Sequence, residues 1–89
     1  MTEQNGIVYE GGDGSSEEKA IIITGAANGL EGVFAESDFI HAKHPDWRKV
    51  RQALIQRFDV AKIYDRVIYE TLEGEQHTFY FDITAFYGK

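Results

Sequence analysis

The chain has 89 residues, of which 15 are acidic and nine are Lys or Arg, and its formal net charge is −6. A hydrophobic content of 43% excludes a wholly disordered chain, and the acidic balance argues against a general affinity for nucleic acid. The absence of cysteine excludes disulfides, zinc thiolates and a thiol nucleophile, so one small apolar core must supply the stability. With no signal-peptide pattern and no long apolar run, we expect a cytoplasmic protein that does not enter a membrane.

The N-terminal part of the chain is strongly acidic. Residues 1–38 contain eight acids and a single base, Lys19. Within them, "GIVYE" predicts a short edge strand, and "GGDGSSEEK" is typical of a loop or flexible linker. We therefore predict a flexible acidic segment over 1–19 and a single α+β domain over 20–89. The acidic segment is either a solvated face or a surface complementary to basic groups elsewhere in the fold or on a partner.

Two further elements precede the middle of the chain. The β-branched run from Ala20 to Thr24 predicts a strand that is covered on both faces. Residues 33–42 fit a strand by alternation, but Glu36 and Asp38 early and His41 late suit the dipole of a helix. We therefore interpret 33–42 as a short helix.

The segment 45–57 is predicted to be the main helix. Pro45 suits a first helical position, and Asp46 suits the first turn. At 100° per residue the apolar residues fall on one side of the helix. They are Trp47, Val50, Leu54, Ile55 and Phe58.

The C-terminal third predicts an antiparallel hairpin with strands at about 62–71 and 76–84. Gly74 can provide the left-handed residue of the turn. The resulting register places Tyr69 opposite His77 and Val67 opposite Phe79. One face of the hairpin should then pack on the 45–57 helix, which makes the fold α+β. The residues of that face are Val67, Tyr69, Phe79, Phe81 and Ile83.

The segment "IIITGAANGLEG" resembles the T-G-x-x-x-G-x-G turn with which short-chain dehydrogenases bind a pyrophosphate. Thr24, Gly25 and Gly29 match that pattern, but Glu31 stands where its last glycine belongs. A carboxylate there would repel the pyrophosphate, so we expect no cofactor. A looser interpretation is an anion site formed by Gly25, Gly29 and Arg51.

Two charged residues fall at predicted core positions. Arg51 lies within the apolar arc of the predicted helix, and Asp65 lies on the inner face of the hairpin. Because an unpaired charge near a core is costly, we predict that the two approach each other or reach the boundary. His41 and His44 lack a third strong ligand nearby in sequence, so we predict no metal site.

The outer face of the hairpin is the predicted binding surface. It carries Tyr64, Ile68 and Tyr80, and Phe86 and Tyr87 add two aromatic rings at the end of the chain. Aromatic patches of this kind are enriched at protein interfaces. Alternatively, residues 1–19 or the segment 33–42 cover this face. We expect a non-catalytic interaction module that binds a protein partner or forms a homodimer, through this aromatic face or through the acidic N-terminal segment. The alternative is a small-molecule or anion-binding domain, or a weak enzyme, that uses the Gly25–Gly29 loop and Arg51.

Overall fold

The computed structural model describes residues 6–88, which form a five-stranded mixed sheet with one helix on one face. The strand order is β1-β2-β5-β4-β3, and only the pairing of β2 with β5 is parallel. The α+β fold class is thus confirmed. Within residues 6–88 no helix has the length and apolar character needed to cross a membrane. The elements in chain order are β1 (Val8–Gly11), β2 (Ile21–Thr24), α1 (Gly29–Lys43), β3 (Arg48–Arg57), β4 (Lys62–Glu70) and β5 (Gln76–Asp82).

Helix α1 includes the whole of the segment 33–42 and confirms that prediction. Its N-cap is Asn28, whose side chain accepts a hydrogen bond of 3.0 Å from the Glu31 N–H. Glu31 in turn accepts one of 2.8 Å from the Ala27 N–H. The glutamate that departs from the dehydrogenase pattern therefore helps to cap a helix, in a variant of the capping box in which it accepts from the residue before the N-cap.

The core lies between α1 and the sheet. The buried residues of α1 recur at helical spacing, at Gly32, Ala35, Glu36 and Ile40. At the β1 side, the Tyr9 hydroxyl donates a 2.7 Å hydrogen bond to the Ala35 carbonyl and so ties the edge strand to the helix. The other buried core residues include Ile21, Ile23, Val67, Tyr69, Phe81, Ile83 and Phe86.

The predicted hairpin is present as β4 and β5. Gly74 has φ of +92° in the connecting turn, as the left-handed position requires. Tyr69 pairs with His77 and Val67 with Phe79, so the predicted register is confirmed. The inner face packs against α1 instead of against residues 45–57.

The predicted helix over 45–57 is wrong, because residues 48–57 form strand β3. This strand pairs along its length with β4 and provides hydrogen-bond partners that the edge of β4 would otherwise lack. Most of the supposed apolar stripe does not reach the core: Val50, Leu54 and Phe58 are 38%, 47% and 86% exposed. Trp47, just before β3, does reach Phe79, with ring centroids 6.3 Å apart.

The face of the sheet opposite α1 is partly covered by the loop between β1 and β2. The Gly14 carbonyl accepts a 2.8 Å hydrogen bond from the Tyr80 N–H. Toward the β3 edge of the sheet, Glu17 accepts two hydrogen bonds, of 2.9 and 2.6 Å, from the Arg57 guanidinium. The edge strand expected within residues 1–19 is β1, which pairs with β2 at one edge of the sheet.

Candidate functional site

A cavity of about 400 Å³ opens between the first half of α1, strand β3 and the turn that follows β5. Its volume lies within the range of small-molecule sites, roughly 300–1,000 Å³. Most of its walls are apolar, and the polar side chains gather on one side. The lining residues are Gly29, Val33, Glu36, Gln52, Ala53, Leu54, Asp65, Ile83, Phe86 and Tyr87.

Glu36 is the buried polar group of this cavity. Its position on α1 falls between Ala35 and Ile40 on the side that faces the sheet, and it is only 3% exposed. Its Oε1 atom has no hydrogen-bond partner in the described part of the chain. A buried acceptor without a partner costs about 1–3 kcal/mol of stability. An apolar residue would therefore make the fold more stable at this position, unless the carboxyl has a function.

Asp65 lies next to Glu36 on strand β4 and is 4% exposed. Its Oδ2 atom accepts a 2.6 Å hydrogen bond from Gln52 Nε2 on β3, and Gln52 Oε1 accepts one of 2.8 Å from Lys49 Nζ. A chain of polar side chains thus runs from an exposed lysine to the buried carboxyl pair. This chain orients Asp65 and places Gln52 at the boundary between the cavity and solvent.

The environment of Glu36 raises the pKa of its carboxyl from 4.5 to about 10. Burial is the main cause, followed by the hydrogen bond with Asp65 and the negative charge of Asp65; Lys49 acts in the opposite direction. Two neighbouring carboxyls in a poorly solvated place hold one proton between them because the doubly charged pair is too costly. At neutral pH the pair therefore carries one negative charge.

The turn after β5 closes the cavity on the third side. The Phe86 and Tyr87 N–H groups both donate to the Ile83 carbonyl, at 3.2 and 3.0 Å. This turn buries Phe86 against Gly32 of α1 and leaves Tyr87 43% exposed at the opening. The two aromatic residues therefore form part of the cavity wall.

This arrangement suits binding better than proton transfer. A general base works best when its pKa lies near the operating pH, and Glu36 is far above that value. Within residues 6–88 the His, Asp and Glu side chains form no group of three or more that could hold a metal ion. What the cavity offers is acceptor oxygens beside apolar walls, which can orient a ligand that donates hydrogen bonds.

The residues predicted to bind a partner are separated by the fold. Tyr64 is buried on the face opposite α1, beside the β1–β2 loop, and Phe86 is buried on the helix side. Ile68 and Tyr80 are half-buried on the face away from α1. Tyr87 is exposed at the cavity opening, so the set does not form one surface.

The residues of the predicted anion site are also not brought together. Gly29 lines the cavity, whereas Gly25 has φ of +88° and lies against the backbone of Gly6. Arg51 is exposed and pairs with Ile68, which places it on the face away from α1. The two residues therefore do not approach each other, since Asp65 lies on the helix side and binds Gln52. The alternative prediction, that each reaches the boundary, holds for the exposed Arg51 but not for Asp65, which is 4% exposed.

Asp65 was predicted at the core, but Glu36 was not among the predicted site residues. The available signal was periodicity: in a helix that includes Gly32, Ala35, Phe39 and Ile40 on one face, Glu36 falls within that face. An acid within an apolar helix face is a candidate functional group.

Comparisons of the chain with protein-family models, with curated proteins and with solved structures found no match.

Proposed function

We propose that this protein is a small-molecule-binding domain and that its site is the cavity between α1 and β3. The observation that supports the proposal most directly is the buried Glu36 Oε1 atom without a partner at the cavity wall. Native proteins pair nearly all of their buried polar atoms, so an unpaired one calls for an explanation such as a functional role or a bound partner.

The shape and lining of the cavity support the same function. Apolar side chains from three parts of the chain surround a few polar groups on one side, which is the usual composition of a ligand site. The ligand we expect has an apolar body of modest size and at least one group that donates hydrogen bonds toward Glu36.

Titration with 2-phenylethylamine and with 2-phenylethanol, followed through backbone amide signals by NMR, tests this function. At least one of these probes should shift the signals of Gly29, Glu36 and Leu54 in a saturable way. The variant Leu54→Trp should abolish these shifts, because Leu54 lines the cavity and the indole would fill it.

The matched control is Leu72→Trp. Leu72 is 79% exposed beside the hairpin turn and does not line the cavity, so the same substitution there should leave the titration unchanged. The proposal fails if neither probe shifts the cavity signals, or if both variants alter the titration equally.

A second candidate function is protein interaction through the sheet face away from α1. The register places Ala53, Arg66 and Tyr80 in one row across three strands, and Arg51, Ile68 and Thr78 in the next. Ala53, Arg66, Ile68 and Tyr80 are half-buried, and the described loop over 12–19 reaches only part of this face.

We propose that a second copy of the chain is the simplest partner for this face. Light scattering over a range of concentrations should then show a dimer, and Ile68→Asp should convert it into a monomer. The control Val60→Asp changes an exposed residue in the turn between β3 and β4 and should keep the dimer. A monomer at all concentrations contradicts self-association.

A further inference from the structure

We propose that the ligand of the α1–β3 cavity is a cation, namely a primary amine carried on a short apolar body. The inference rests on the proposed small-molecule function and adds the charge and chemical class of the ligand. It follows from the number, charge and position of the polar groups that line the cavity.

The buried polar atoms of the cavity are mainly acceptors. Glu36 Oε1 has no donor, and Asp65 accepts one hydrogen bond from Gln52. A carboxyl oxygen can accept more than one hydrogen bond, and a protonated carboxyl keeps acceptor capacity besides its O–H donor, so acceptors remain at both Glu36 and Asp65. Within residues 6–88 no Lys, Arg or His lines the cavity, so the described part of the wall has no group that would balance an anionic ligand.

An ammonium group fits this imbalance better than a neutral donor does. It carries three N–H donors, whereas a hydroxyl carries one, so a single ammonium can reach both Glu36 and Asp65. Hydrogen bonds that join opposite charges are roughly twice as strong as neutral ones, and the low polarity of the surrounding walls increases this effect.

The position of Lys49 is consistent with a cation site that is kept open. Its ammonium group donates a 2.8 Å hydrogen bond to Gln52 Oε1, and Gln52, not Lys49, donates to Asp65 of the carboxyl pair. The side chain of Gln52 thus separates the native cation from the two acids. A free amine that enters from the Leu54 and Tyr87 side meets the carboxyls without displacing this hydrogen bond.

The apolar walls define the rest of the ligand. Val33 and Leu54 lie on the helix and β3 sides, and Ile83 and Phe86 close the end. A ligand body of one aromatic ring or a short branched alkyl chain fits a cavity of about 400 Å³.

The test compares three probes of similar size and different charge on the full chain. They are 2-phenylethylamine, 2-phenylethanol and phenylacetate, titrated by NMR at neutral pH. We expect the amine to bind about tenfold or more tightly than the alcohol, which corresponds to one charge-assisted hydrogen bond, and the acid to bind most weakly. Binding of the alcohol or of the acid with equal or higher affinity overturns the inference but leaves the small-molecule function standing.

The variant Asp65→Asn keeps the shape of the side chain and removes the negative charge that lies beside the protonated Glu36 carboxyl. In this variant the advantage of the amine over the alcohol should disappear. Asp38→Asn is the matched control, because it makes the same substitution at an exposed residue that does not line the cavity, and there the amine should keep its advantage. An amine preference that survives Asp65→Asn overturns the inference, and failure of all three probes overturns the proposed function as well.

Discussion

Gly32 of α1 lies directly against the aromatic ring of Phe86. A Cβ atom at position 32 would overlap three carbon atoms of that ring. Phe86 is only 3% exposed, so the ring has little room to move away. The glycine therefore sets the distance between the helix and the C-terminal turn, and with it the width of the end of the cavity.

Gly32→Ala should destabilise the protein although alanine favours helices. The helix propensity gains about 1 kcal/mol, whereas forcing a methyl group into a filled core typically costs about 1–3 kcal/mol, and the direct overlap with a buried ring places the cost at the upper end. We expect a net loss of about 1–2 kcal/mol in the free energy of unfolding, measured by urea denaturation.

Gly29→Ala provides the control for this substitution. Gly29 is at the start of the same helix, and a Cβ atom there meets nothing within 4 Å. This variant should be neutral or slightly stabilised. Equal losses for the two alanine variants would show that the Phe86 contact does not limit the packing.

Glu36→Gln should change how stability depends on pH. In the folded protein the pKa of Glu36 is raised to about 10 from 4.5. Between these values the folded state keeps a proton that the unfolded state has lost, so the stabilising contribution is complete below pH 4.5 and declines as pH rises toward 10. The slope for one such group is at most about 1.4 kcal/mol per pH unit, and relaxation around the carboxylate reduces it.

The measurement is urea unfolding between pH 5 and pH 8 for the natural protein and the variant. The glutamine variant should gain stability relative to the natural protein as pH rises, because it has no proton to lose. Asp38→Asn on the same helix should follow the natural protein. Parallel curves for the natural protein and Glu36→Gln would mean that Glu36 is not held protonated by the fold.

The hairpin could be predicted from local sequence, and strand β3 could not. Gly74 and the alternation on both sides of it specify a turn and a register without help from the rest of the chain. Residues 48–57 satisfy a helical period equally well, but the free edge of β4 needs backbone partners, and that need arises only after the sheet has assembled. Tertiary pairing therefore outweighed the local pattern.

Only one residue of the carboxyl pair could be predicted from the sequence, for a related reason. Asp65 is on the buried face of a strand whose register was predicted, so its burial could be inferred. Its partners could not, because Gln52 was assigned to a helix and Glu36 was used as a helix-start signal. Glu36 and Asp65 form a pair only because α1 packs across β4 at this point, and this packing cannot be inferred from a single sequence.

Trp47 provides a spectroscopic test of the opposite end of the domain. Its indole is stacked between two imidazoles, with centroids 3.7 Å from His44 and 4.6 Å from His77. His77→Ala should expose one face of the indole and shift its emission to longer wavelength. Because an aromatic pair contributes about 0.5–1.5 kcal/mol, a loss of stability of that size should accompany the shift.

Thr78→Ala is the control for this variant, since Thr78 is an exposed neighbour on the other side of the same strand. Its emission should match that of the natural protein. The chain has a single tryptophan, so the signal reports on this stack alone. Unchanged emission in His77→Ala would contradict the stacked arrangement.

The hydrogen bond from Gln52 to Asp65 can be tested by its removal. Gln52→Leu leaves a buried carboxylate without its 2.6 Å donor, and the loss of a hydrogen bond to a charged group costs about 1.5–3 kcal/mol. Gln56→Leu is the matched control, because Gln56 lies four residues along the same strand and pairs with Ile63 on the same face. Chemical denaturation should show the loss only for Gln52→Leu. Equal stability of the two leucine variants would mean that solvent or another group satisfies Asp65, and the polar chain from Lys49 to the carboxyl pair would then have no structural role.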